Sequence, residues 1–62
     1  MMTFPLSQLP ADAQAFHAKY SGTGFMTFVK CIDGDFFRTA IAQFGEIDTM
    51  LSLGWLVINA KA

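Results

Sequence analysis

Sixty-two residues with a net charge of −1, 53% of them hydrophobic and only 15% charged, are expected to make one small domain and leave no room for a second. One cysteine, Cys31, excludes a disulfide framework, and one histidine, His17, excludes a Cys/His zinc cluster. The basic residues Lys19, Lys30, Arg38 and Lys61 are scattered, which argues against nucleic acid as a partner, because phosphate binding needs a basic stripe.

Residues 1–6 read as a flexible arm, and residues 7–62 as the domain proper. Phe4 and Leu6 are apolar enough to dock on a neighbour, and Pro5 keeps the chain extended between them. Residues 7–21 are predicted to form a helix. Ser7 is placed to cap it, Pro10 falls in its first turn, and Asp12 puts a negative charge near the positive end of the helix dipole. Leu9, Ala13, Phe16, His17 and Tyr20 recur at helical spacing, and Gly22 is the stop. The Gly22–Thr23–Gly24 turn closes a helix, whereas phosphate-cradling loops open one and carry a lysine and a hydroxyl.

Residues 25–32 are β-branched and aromatic enough for a strand. Phe25, Thr27 and Val29 share one face, and Met26, Phe28 and Ile32 the other, so both faces are expected to be covered. One cover is the first helix; the other is expected to be a partner chain. The Asp33–Gly34 pair then signals a two-residue hairpin, since a type I′ turn needs two positive φ angles. That turn pairs Lys30 with Phe37, Phe28 with Thr39 and Met26 with Ile41 on one face. On the other it pairs Cys31 with Phe36 and Val29 with Arg38. Residues 36–44 make the returning strand, in competition with a helix capped by Asp35 and ended by Gly45. Residues 46–53 read as a short helix with Ile47, Met50 and Leu51 on its inner face, stopped at Gly54. Residues 55–60 form the final strand, opening on Trp55, which is expected at the centre of the core.

The fold class is therefore α+β: an N-terminal helix packed on a small, mainly antiparallel three-stranded sheet, with a short second helix before the last strand. No run approaches the roughly 20 apolar residues of a membrane span, and no basic, apolar leader opens the chain, so a soluble, cytoplasmic protein without membrane partners is expected.

Little in the sequence points to chemistry. Cys31 and His17 are the one thiol–imidazole pair, but free cysteine is commonly a small core residue and no third, orienting group accompanies them. Asp33 and Asp35 flank a glycine as turn residues do, without the further oxygen ligands a calcium loop needs. No catalytic, cofactor-binding or metal-binding residue is assigned, and the chain is not read as an enzyme. The aromatic residues exceed what so small a core holds. Phe4, Phe25, Val29, Phe36 and Phe44 are the candidates for an interface. The expected function is a protein–protein interaction module, a homodimer or a subunit docking on a larger protein. The alternative is an inhibitor or adaptor of the size phages and mobile elements encode, blocking a host machine; a small-ligand binder or enzyme ranks last.

Overall fold

The computed structural model describes residues 3–34 and 36–60. Strand β1 (Thr3–Pro5) leads through a 3-10 turn (Leu6–Gln8) to helix α1 (Ala11–Tyr20). Strands β2 (Phe25–Asp33) and β3 (Phe36–Gln43) follow. A second 3-10 turn (Phe44–Glu46) then gives helix α2 (Ile47–Ser52) and strand β4 (Leu56–Asn59). The expected α+β class holds, and residues 36–43 adopt the strand, not the competing helix.

The sheet has four strands rather than three, in the order β1-β4-β2-β3. The added strand comes from the stretch read as an arm: β1 pairs parallel to β4, with Thr3 opposite Val57 and Pro5 opposite Asn59. The other two pairings are antiparallel. Three residues are too few to show an alternating pattern, so β1 had no periodic signal. Met1 and Met2 lie outside the described residues.

Helix α1 starts later than residue 7. Pro10 disfavours helical geometry in the residue before it, and Leu9 is extended at φ −86°, ψ 151°. Leu9 therefore ends the 3-10 turn and Pro10 flanks α1 without a side-chain cap. Instead of a Ser7 cap, the Asp12 carboxylate accepts from the Ala13 amide at 2.9 Å, and the Gln14 amide side chain donates to Leu9 O at 2.8 Å.

The hairpin register also differs from expectation. Thr27 pairs with Ile41, Phe28 with Ala40, Val29 with Thr39 and Lys30 with Arg38, one residue away from the pairing a turn at Asp33–Gly34 would impose. Asp33 is a paired strand residue opposite Phe36, so the turn sits one position later, with Gly34 at φ +56°. A bulge between Cys31 and Asp33 absorbs part of that shift. Asp35 lies outside the described residues.

Successive strand residues face opposite sides, and β2 uses both. On one side Val29 packs with Leu9, Ala13 and Ile58, flanked by Phe4, Leu6, Phe37 and Leu56. On the other Phe28 packs with Ala42 and Val57, beneath Ile47, Met50, Leu51 and Trp55. Helix α1 thus covers one face and α2 the other. The second face of β2, expected to need a partner, is covered by the chain's own short helix. Phe28 and Val29, at 0% and 1% exposure, are the centre of the core. Trp55, expected there, is half-buried at its margin. The Trp55 amide donates to Met50 O at 3.1 Å, which ties it to the end of α2 ahead of the strand, and its ring packs at the edge of the Phe28 cluster. The radius of gyration, 10.6 Å, is what a compact chain of this length has, about 10.6 Å. No helix among the described residues is long and apolar enough to cross a membrane.

Candidate interaction surface

With both sheet faces covered, the remaining apolar surface lies at corners and edges. Phe25 opens β2 and is 39% exposed. It pairs with Gln43, and the next residue, Phe44, is 61% exposed as the chain leaves β3. Ile41, 36% exposed, pairs with Thr27. Directly opposed residues share a face, so Ile41 lies on the same side as Phe25, one step along. Phe25 and Ile41 thus share one face where β2 begins, and Phe44 follows directly as the chain leaves β3 at the same corner of the sheet.

Sequence reasoning had singled out Phe25 and Phe44 but not Ile41. The expected register set Ile41 against Met26 on the opposite face; the actual register moves it beside Phe25. Of the other interface candidates, Val29 is enclosed beneath α1 and belongs to the chain's own core, a correction that follows from α1 and α2 taking one face each. Phe4 is half-buried, its ring centroid 5.4 Å from that of Phe37 at a tilt of 60°, so the arm docks on its own sheet. The Phe36 side chain lies outside the described residues.

The two sheet edges are unlike. β1 is three residues long and ends in Pro5, which has no amide hydrogen to offer. β3 runs eight residues without a proline. Short length and proline are devices that blunt an edge against further pairing; β1 has both and β3 has neither. Arg38 sits exposed near the start of β3. Glu46 and Asp48 lie just past its end, where the Glu46 carboxylate accepts from the Gln43 amide at 3.3 Å.

The residues weighed for chemistry stay apart. His17 Nδ1 meets the buried Thr27 hydroxyl at 2.6 Å, tying α1 to β2. Cys31 is exposed, four positions along the same strand from Thr27, a rise of about 13 Å. Its thiol donates to Gly34 O at 3.5 Å, inside the hairpin turn. Lys30 reaches over the surface to the end of α2: its ammonium donates to Leu53 O at 3.0 Å and stands 5.8 Å from the Trp55 ring centroid. Among the described residues no pocket opens, and no three His, Cys, Asp or Glu side chains gather to hold a metal ion.

No family model, curated protein or solved structure matches the chain.

Proposed function

We propose that the chain is a protein–protein interaction module that works as a homodimer. The observation that carries this reading is the Phe25–Ile41–Phe44 corner, left exposed although the two helices have already covered both faces of the sheet. Monomeric proteins seldom leave large apolar side chains clustered; such clusters mark contact sites. Aromatic residues there suit an interface, offering large area for few frozen rotations. A standard interface buries about 800 Å² on each partner, roughly a fifth of this chain's 4157 Å² of accessible surface.

Sedimentation equilibrium at micromolar concentration tests the reading. The wild-type chain should sediment as a dimer. Phe44→Asp, at a position already in solvent, should give a folded monomer. Leu53→Asp, at a residue 59% exposed but at the far end of α2, should leave the dimer intact. A wild-type monomer with a cooperative melt would overturn the homodimer and direct attention to a heterologous partner on the same corner.

A further inference from the structure

Resting on the homodimer reading, we propose how the two copies meet: β3 pairs antiparallel with β3 of a second copy, edge to edge, joining the two sheets into one. Three observations lead there. First, β3 is the long, proline-free edge of the sheet, while the opposite edge, β1, is short and ends in proline. An unguarded edge offers a row of amide and carbonyl groups that another strand can satisfy.

Second, the charges along β3 complement themselves only in the antiparallel sense. Arg38 stands near its start and Glu46 and Asp48 lie just beyond its end. A two-fold axis reverses one strand against the other. Each Arg38 then lies beside the acidic turn of the other copy, and the contact occurs twice. A parallel arrangement would set like beside like.

Third, the faces agree. Arg38, Ala40 and Ala42 point to the side on which α2 packs, since Ala42 belongs to that core cluster. Glu46 and Asp48 precede and open α2, on the same side. With Ala40 at the two-fold, Arg38 of one copy crosses Ala42 of the other, whose methyl group leaves the guanidinium room to reach the carboxylates. On the α1 side the same register sets Ile41 against Thr39 of the second copy and begins to cover the exposed corner. Arg38 never opposes itself.

Amide exchange and charge exchange test this separately from dimerisation itself. Within β3, amides alternate between those bonded to β2 and those facing outward. In the dimer both sets should be protected, and dilution to monomer should release the outward set alone. Arg38→Glu and Asp48→Lys each place like charges together twice per dimer. Each should weaken self-association by roughly a hundredfold, because like-charge juxtaposition is penalised steeply at an interface. Circular dichroism should show both variants folded, since both positions are exposed and Asp48→Lys leaves the Glu46 hydrogen bond in place. Mixing the two variants sets the acid introduced at position 38 beside the base introduced at position 48 in one contact and keeps Arg38 beside Asp48 in the other, and should restore a heterodimer. A wild-type dimer whose outward β3 amides exchange freely, or whose strength Arg38→Glu leaves unchanged, would overturn the edge pairing while keeping the homodimer. A wild-type monomer would overturn both.

Discussion

Phe28 and Val29 are consecutive residues that serve different helices, and that adjacency concentrates the stability of the molecule at one point of β2. Replacing a buried phenylalanine with alanine costs about 3–5 kcal/mol. A chain of this size has about 6 kcal/mol in hand at roughly 0.1 kcal/mol per residue. Phe28→Ala should therefore leave only about 1–3 kcal/mol, so the chain stays mostly folded at room temperature but melts far below the wild type, read by near-ultraviolet circular dichroism. Trp55 is half-buried and stacks its ring against Lys30, so Trp55→Ala should cost roughly half as much and remain folded, with a lower urea midpoint. An equal or larger loss at Trp55 would show that its ring, not Phe28, anchors the α2 layer. Thr27 is the one buried polar residue of the described core, and its hydroxyl is held by His17. Thr27→Val should cost about 1 kcal/mol, the net worth of one hydrogen bond, because the half-exposed imidazole can turn to water. A loss of several kcal/mol in denaturant titration would mean that the ring stays trapped and unpaired.

At the level of elements, the turn between α2 and β4 depends on a glycine's backbone freedom. Gly54 has φ +93°, and a Cβ there would stand 3.4 Å from Lys30 Cε, on the side chain that donates to Leu53 O. Left-handed geometry costs an L residue about 1–2 kcal/mol. Gly54→Ala should lower stability by that amount and loosen the Lys30 contact, read as a shifted urea midpoint and altered Trp55 fluorescence. An unchanged midpoint would show the loop relaxing around the new methyl group. Both helices, the hairpin strands and the last strand were legible because each carries its own local signal: apolar spacing, a glycine stop, a β-branched run. What escaped was set by partners distant in sequence. β1 is a strand only because β4 lies beside it. The hairpin slipped by one residue because the bulge after Cys31 is a tertiary choice, and that slip carried Ile41 to the face of Phe25 and into the candidate surface, where no local signal had placed it. The apolar character of both faces of β2 was legible. That a six-residue helix covers one of them was not, because the pattern of a strand says that it is buried, not by what.

For the whole molecule, the proposed homodimer would make stability a function of concentration. If folding and association are linked, the melting temperature should rise with protein concentration, as for any state favoured by mass action. Scans over a hundredfold concentration range that superimpose would argue for a self-sufficient monomer. The parallel pairing of β1 with β4 has a consequence in time rather than in space. Thr3 meets Val57, so joining these strands closes a loop of nearly the whole described chain, whereas the β2–β3 hairpin closes over a few residues. The entropy lost on closure grows with loop length, and distant pairings slow folding. β1 should therefore settle after the hairpin has formed and be among the first pieces to lift away. In that interval β4 is itself an open border, and the side that three residues and a proline protect in the finished molecule stands unprotected while it assembles.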